Sequence, residues 1–440
     1  MFWRTLAGVG VLLIAVGGAP AQTCILAEDL KPGDCFHVRL VMKLDGKMHF
    51  TRDGKVVSVP LVASAEHEFS ERVLAVGKGG VVEKVARFYE KASAVITAGK
   101  DRSTRSLRPD RRLIVAQRIK DEPVVYCPAG ALSRPELELT SEHFDTLSLT
   151  GLLPGKAVAV GATWKVSNGV AQALCNFEGL TGQDLTCKLE AADAKKARVS
   201  VRGTASGIDQ GAQVKLTIDA TYRFDLSAKR LVDLEWKQKD VRDQGPANPA
   251  STVEMTTTLT RTPVARPAAL SDVALVSVPD GAEVPPQLAL LDHQDDKGRY
   301  NLLYGRAWQT VGLADGRLVM RLMDRGDFVA QVTISPWTPA AAGKHLTGEE
   351  FKAQMTHMPG WEPEHEVQAG ELPSEKGRWA YRLSLQGKLD GLEVIQNFFL
   401  VAHEDGRQVV LTFTMTPKQA ERLGTRDLTL VGSLDFPPKK

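Results

Sequence analysis

The sequence predicts a mostly β protein, in which a long antiparallel β region is followed by a smaller α+β region. Three observations favour this fold class and arrangement. Asp-Gly pairs, which favour tight turns between antiparallel strands, occur six times. Long stretches alternate apolar and polar residues with a period of two. Two clear helix-start signals lie in the C-terminal third. The chain has 440 residues, more than the ~250–300 at which one core stops growing, so two domains are expected.

Residues 1–21 have the features of a secretory signal peptide. Arg4 is followed by an apolar run over residues 6–16, and Ala19-Pro20-Ala21 supplies the small residues of a cleavage site. The apolar run is shorter than the ~20 residues that a membrane-spanning helix needs. We therefore expect cleavage near Ala21 in a bacterial exported protein, and a periplasmic or secreted location for the mature chain.

Residues 22–262 are expected to form an antiparallel β meander, either an open sheet or a half-closed barrel. The alternation is clearest over residues 214–226, where Leu216, Ile218 and Tyr222 share the inward face of one strand. A helix is expected between residues 133 and 147. Its start, Ser133-Arg134-Pro135-Glu136, supplies a cap, a proline in the first turn and an acid at the third position.

Residues 263–290 contain five prolines and little periodicity, which is typical of a linker. The apolar run 273–278 inside it has the composition of a short strand. Residues 291–437 then combine strands with two helices. One helix starts at the capping box Thr347-Gly348-Glu349-Glu350, with Phe351, Met355 and Met358 on one face. The other starts at Thr416-Pro417 and stops at Gly424.

The C-terminal third resembles the PsbP-like family. The resemblance is carried by the run Tyr300-Asn301-Leu302-Leu303-Tyr304, by Trp308, and by the final order of hairpin, helix and Ser433-Leu434-Asp435-Phe436. Gly305 departs from the proline that many members have before the tryptophan. The resemblance implies an exported α/β/α sandwich domain with a non-enzymatic accessory or binding role. The N-terminal half is similar only to uncharacterised exported β-rich domains and, as an architectural analogy, to the unclosed barrels of lipoprotein carriers.

Five cysteines, at positions 24, 35, 127, 175 and 187, all lie in the N-terminal half. Export would permit disulfides, and the glycines between Cys175 and Cys187 could bring that pair together. Spacing alone cannot establish the connectivity, and buried or free thiols remain the alternative. The sequence also leaves open whether Cys24 is modified.

One short segment carries the residue types of a metal site. His357, Glu362, Glu364 and His365 are ligand types that zinc accepts. Their spacing matches no standard site, and the prolines and glycine among them are typical of a helix-to-strand connection. No motif for a nucleotide, a dinucleotide or a catalytic serine occurs in the mature chain, so no cofactor is expected.

A basic cluster is the strongest charge feature of the chain. Arg102, Arg105, Arg108, Arg111 and Arg112 lie close together, and they either form an anion-binding surface or are solvated in a loop. No aromatic residues interleave with them, and the formal net charge is only +2. Nucleic acid is therefore not an expected partner. The expected partner is an anionic component of the cell envelope, a lipid or a protein.

These observations predict an exported binding or scaffold protein of unknown ligand that is not an enzyme. The alternative is a carrier that holds a lipid or another apolar ligand against the long N-terminal strands. A metal-dependent hydrolase at the segment containing His357 and His365 is the third hypothesis.

Overall fold

The computed structural model describes residues 23–438, except residues 53, 78–79, 120–121, 142–145, 247, 282, 315 and 374–376. The predicted signal peptide therefore lies outside the described residues. Strands contain 58% of the chain and helices 14%, and antiparallel pairing dominates the sheets. This confirms the predicted mostly β architecture with an α+β region.

The N-terminal half contributes most of the strands. Its α-helices are α1 (Arg134–Ser141) and α2 (Asn168–Leu174), with the 3-10 helix Thr146–Leu152 between them. Its strands are β1 (Thr23–Ile25), β2 (Cys35–Arg52), β3 (Lys55–Val76), β4 (Val82–Ala98), β5 (Asp101–Ser106), β6 (Leu113–Ile119), β7 (Glu122–Tyr126), β8 (Leu132–Ser133), β9 (Ala157–Ala159), β10 (Thr163–Lys165), β11 (Gly179–Gln183), β12 (Thr186–Ala192), β13 (Lys196–Asp209), β14 (Ala212–Asp225), β15 (Arg230–Arg242) and β16 (Ala250–Pro263).

The C-terminal part contributes the remaining described elements. Its helices are α3 (Gly348–Thr356), α4 (Pro417–Leu423) and α5 (Arg426–Gly432). Its strands are β17 (Leu291–Gln294), β18 (Asn301–Tyr304), β19 (Trp308–Ala314), β20 (Arg317–Asp324), β21 (Asp327–Pro336), β22 (Trp361–Leu372), β23 (Arg378–Leu389), β24 (Leu392–His403), β25 (Gln408–Met415) and β26 (Leu434–Asp435).

One large antiparallel sheet forms the N-terminal half. Its strand order is β10-β12-β13-β14-β15-β16-β2-β3-β4-β6-β7, with β11 added to β13 and β5 added to β4. Its two ends, β10 and β7, do not pair with each other in the described part of the chain. The sheet is therefore not closed into a barrel, in agreement with the predicted open or half-closed form.

The apolar face of this sheet packs against the connecting helices. On β14 the predicted alternation is confirmed, since Leu216, Ile218 and Tyr222 are buried and the residues between them are mostly exposed. The Tyr222 hydroxyl donates a 3.0 Å hydrogen bond to the carbonyl of Leu152, in the 3-10 helix. These residues belong to one apolar cluster, which also includes Phe413 of the C-terminal sheet. The inward face is therefore covered by protein side chains.

The proline-rich segment 263–290 lies along the opposite face of the sheet. The residues 273–278, with the composition of a strand, form turns. The Arg72 guanidinium donates a 2.8 Å hydrogen bond to the carbonyl of Leu270 in this segment. A second apolar cluster joins the segment to the sheet: Ala86, Val115, Tyr126, Leu270, Leu275 and Val278.

The C-terminal sheet lies between helices on both faces. Its order is β19-β20-β21-β25-β24-β23-β22. Phe351 and Met355 of α3 pack against one face, in a cluster that contains Phe398. Leu423 of α4 and Leu430 of α5 join the apolar cluster on the other face. The three-layer arrangement is the one that the PsbP-like resemblance implies.

Turn and cap chemistry agrees with the sequence at most of the predicted positions. Asp390 and Gly391 have φ angles of 48° and 80° and join β23 to β24, as expected for a two-residue hairpin. Helices α3 and α4, the two that the sequence predicts in the C-terminal part, begin with capping boxes. Asp45-Gly46 is the exception, because it lies inside β2, where Gly46 pairs with Leu61. A side chain at Gly46 would collide with the backbone of Thr252 on β16, so glycine is needed there for close strand approach.

A buried carboxyl group on β15 should make stability depend on pH. Asp240 Oδ2 accepts a 3.1 Å hydrogen bond from Gln238, while its buried Oδ1 has no partner in the described part of the chain. Burial raises the pKa of Asp240 to about 6, and the Gln238 hydrogen bond only partly opposes this effect. The folded state therefore holds a proton that the unfolded chain releases near its ordinary pKa of 3.8. This group's contribution is present below about pH 4 and is lost as pH rises through 6.

We expect Asp240→Asn to remove this dependence. Between pH 4 and pH 7 the wild type should lose about 2.5 kcal/mol of stability relative to the variant, because each pKa unit corresponds to ~1.4 kcal/mol and most of the shift from 3.8 to about 6 lies in this interval. Urea midpoints at the two pH values measure the change. Asp219→Asn, on the exposed face of β14, is the matched control. Parallel pH profiles for wild type and Asp240→Asn would contradict the expectation.

Candidate binding cleft

The two halves meet at a small mixed sheet. Its order is β26-β18-β17-β8, and β8 from the N-terminal half pairs in parallel with β17, with Leu132 opposite Leu291. Immediately after β8, Arg134 donates hydrogen bonds of 2.8 and 2.7 Å to the carbonyls of Arg306 and Trp308. The first turn of α1 is therefore attached to the C-terminal part, and this junction positions a cleft.

The junction cleft has a volume of about 580 Å³ and is lined by residues of both halves. β5 and α1 form one wall, and β17 to β20 form the other. Neutral polar side chains that are exposed along it are Thr104, Ser106, Gln294 and Thr310. Leu313 adds one apolar surface, 56% exposed. The wall therefore offers hydrogen-bonding groups around a limited apolar contact.

Arg108 is the centre of the ionic network under this cleft. Its guanidinium donates to both carboxylate oxygens of Glu136, at 2.8 and 2.7 Å, and to Asp292 of β17 at 3.0 Å. A fourth hydrogen bond, of 3.0 Å, reaches the carbonyl of Ala131. Burial alone would raise the pKa of Glu136, but the hydrogen bonds from Arg108 and Ser133 hold it below its ordinary value. Arg108 thus neutralises one acid from each half.

The other members of the predicted basic cluster separate into two groups. Arg105 is paired with Glu138 of α1, and Arg111 with Asp110 at 2.6 Å, while the Arg111 side chain also donates to the Ala131 carbonyl. Arg102 and Arg112 are exposed, and neither has an ion pair in the described part of the chain. The five arginines therefore do not form one continuous basic surface. Arg108 reaches the C-terminal half at Asp292, whereas Arg105 and Arg111 bind groups of the N-terminal half.

His293 also lines the cleft, although the sequence did not single it out. Its ring lies 5.9 Å from the Tyr300 ring, measured between centroids. Burial lowers the pKa of His293, against the opposing effect of the neighbouring acids at 292, 295 and 296. Its buried Nε2 and the buried Tyr300 hydroxyl have no hydrogen-bond partner within the described residues. Burial therefore favours the neutral form of the imidazole.

The four metal candidates do not form a site in this structure. His357 follows the last turn of α3, where its Nδ1 lies 2.7 Å from the Ala353 carbonyl oxygen. Glu362, Glu364 and His365 are exposed along β22, and Glu364 pairs with Lys388 at 3.5 Å. Across the described residues, no group of three or more histidine, cysteine, aspartate or glutamate side chains could hold a metal ion. The four side chains do not converge, because β22 begins at Trp361 and the last three candidates lie along this extended strand.

The cysteines are buried thiols. Cys187 lies in β12 and donates a 3.7 Å hydrogen bond to the Leu152 carbonyl, and Cys175 caps the end of α2. Burial raises the pKa of each thiol to about 12. The two are not bonded to each other, and the disulfide stays a prediction. Cys24 is buried where β1 pairs with β9.

No helix in residues 23–438, within the described positions, has the length and apolar content to cross a membrane.

Comparison with known proteins gives only partial likenesses. No protein-family model matches the chain, and no curated protein does. The solution structure of cyanobacterial PsbP (CyanoP) from Synechocystis sp. PCC 6803 is 18% identical and has a TM-score of 0.27, covering 34% of this chain and 93% of that one. Protein PA94 of unknown function from Pseudomonas aeruginosa is 15% identical with a TM-score of 0.24, covering 34% and 99%.

A third likeness is to a structure of lipovitellin that concerns lipid–protein interactions. It is 11% identical with a TM-score of 0.30 and covers 55% of this chain, but this chain spans about a quarter of lipovitellin, 26%. These likenesses do not assign the chain to a family.

Proposed function

We propose that the protein is an exported, non-catalytic binding protein that holds a polar ligand in the junction cleft. One observation carries the proposal. Arg108 binds Glu136 and Asp292 under the cleft, and Arg105 binds Glu138, whereas the polar side chains left exposed along it are four neutral hydrogen-bonding groups and the carboxylate of Asp296. A catalytic site needs an acid, base or nucleophile held ready for a substrate, and Arg108, Glu136 and Asp292 already bind one another.

The two rival functions lack such support. A carrier needs space beneath Leu216, Ile218 and Tyr222, and these side chains are buried in the core, with Tyr222 bonded to the 3-10 helix. A metal-dependent hydrolase needs its ligands to converge, and the four candidates lie on a helix end and along a strand. Binding in the cleft is therefore the function that the geometry favours.

Filling the cleft should abolish ligand binding. We expect protein purified from its own cell envelope to carry a bound polar molecule that native mass spectrometry detects. Ser106→Trp places an indole in the cleft from the exposed face of β5, and the adduct should disappear. Thr217→Trp, on the exposed face of β14, should retain it. An adduct that persists in Ser106→Trp, or the absence of any adduct in the wild type, would contradict the proposal.

A further inference from the structure

The hairpin of β2 and β3 extends beyond the large sheet. On one side β16 pairs with β2 as far as His49, and on the other β4 pairs with β3 from Leu61 onward. Past these points the two strands pair with each other, with Phe50 opposite Val57 and Thr51 opposite Val56. In the described part of the chain, no other strand continues beside them. Residues 50–52 and 54–59 therefore form a protruding two-stranded ribbon, which we call the ribbon tip.

The ribbon tip has exposed apolar side chains on both of its faces, although on the second face Val56 lies beside the polar residues Thr51 and Ser58. Phe50 and Val57 share one face and are 39% and 45% exposed, while Val56, on the other face, is 69% exposed. Val62, 48% exposed, continues the second face toward the sheet. Exposed apolar strands with free edges promote aggregation unless something covers them, so they often mark interaction surfaces.

Exposed cations lie beside the terminal turn of the ribbon tip, at Lys55, and around its base. The β4–β5 turn lies beside it, because Gly99 donates a 2.8 Å hydrogen bond to the Pro60 carbonyl. Exposed charged residues in this region are five bases, Lys43, Lys47, Lys55, Lys100 and Arg102, and three acids, Asp45, Asp101 and Glu254. None of the eight has an ion pair within the described residues. The apolar tip is thus bordered by a net positive charge that a negatively charged surface would complement.

We propose that the ribbon tip inserts into the interfacial layer of a membrane that contains anionic phospholipid. A protein groove would cover one face of a ribbon, whereas lipid surrounds both, and exposed apolar side chains lie on both faces. The outer edges of the ribbon carry unpaired backbone groups, which cannot be left in the hydrocarbon core. Insertion is therefore shallow, with these groups solvated by headgroups and water. Three residue pairs span about 10 Å, enough to reach through the interfacial layer.

Vesicle flotation with the full chain tests this inference. We expect binding to phosphatidylcholine vesicles that contain phosphatidylglycerol, weaker binding to phosphatidylcholine alone, and loss of the difference at high salt. The double variant Val56→Ser and Val57→Ser should bind at least about tenfold more weakly, because both valines lose their apolar contact. The matched control is Val367→Ser with Leu392→Ser, which changes two apolar residues of the C-terminal sheet that are 55% and 71% exposed. It should bind like the wild type.

A second readout reports the site of contact. Tryptophan fluorescence of Phe50→Trp should shift to shorter wavelength on adding the anionic vesicles, and that of Val367→Trp should not. Because these residues are exposed, thermal melting should match the wild type and exclude misfolding as the cause. The inference is overturned if no vesicle is bound, or if the ribbon variant binds like the control. It is also overturned if the ribbon variant loses self-association in sedimentation experiments while vesicle binding is absent.

Discussion

Replacing Glu28 by alanine should lower the free energy of unfolding by about 3–5 kcal/mol, because it leaves a buried guanidinium without a counterion. Arg261 of β16 is 7% exposed and donates hydrogen bonds of 3.1 and 3.0 Å to the two carboxylate oxygens of Glu28, which is 1% exposed. The guanidinium carbon lies 3.7 Å from the centroid of the Phe36 ring. Glu28 also accepts a hydrogen bond of 2.5 Å from the Leu231 amide. The urea midpoint measures the loss.

Two controls separate the buried charge from a general effect of truncation. Asp219→Ala breaks an exposed pair with Arg202, whose side chains are 65% and 69% exposed, and should cost less than about 1 kcal/mol. Combining Glu28→Leu with Arg261→Met replaces the buried pair by apolar groups and should recover most of the loss. If Glu28→Ala were no more destabilising than Asp219→Ala, the pair would have no structural role.

The local patterns of the sequence predicted the architecture well. Alternation along β14 requires only that one face of a strand be buried, and the Asp390-Gly391 turn requires only that two adjacent residues tolerate positive φ. The capping box at Thr347 likewise involves residues three apart. Such signals depend on neighbours in the chain, so they can be recognised without knowing the fold.

Features set by distant strands were not predictable in this way. Gly46 follows an aspartate, which indicates a turn, but β2 continues through it because β3 and β16 pair along both sides. Helix α2 was missed because it is seven residues long and contains Gly169, and its N-cap, Ser167, is the only clear start signal. Arg261 occupies an inward position where periodicity predicts an apolar side chain, and its partner is 233 positions away.

The candidate site shows the same limit. The sequence pointed to residues that cluster along the chain, such as His357 and His365, and these separate when the backbone becomes a strand. The sequence did point to Arg108, but only as a member of a basic cluster, and it did not indicate the partners Glu136 and Asp292. Asp292 lies 184 positions from Arg108, and the cleft exists only where the two halves meet. No pattern in either half alone could have identified it.

Arg108→Ala should destabilise the junction by about 3–5 kcal/mol at neutral pH. Glu136 is only 3% exposed and would keep its charge with backbone donors alone, from Ser133 and residue 108. Asp292 would lose its partner in the other half. Hydrogen–deuterium exchange measures the effect locally, and we expect faster exchange in β8 and β17 together, because their pairing holds the halves in register.

The pH dependence distinguishes a lost counterion from lost packing. In the wild type, Glu136 has a lowered pKa, so its stabilising contribution is present above the unfolded-state pKa and is lost as pH falls through the folded-state value. Without Arg108, burial remains as the dominant influence and should move this pKa above its ordinary value. The destabilisation caused by Arg108→Ala should therefore be larger at pH 7 than at pH 4. A loss of stability that is equal at both pH values would indicate lost packing alone. The control is Arg102→Ala, which replaces an exposed arginine of the same cluster. It should change neither the stability nor the exchange rates of β8 and β17.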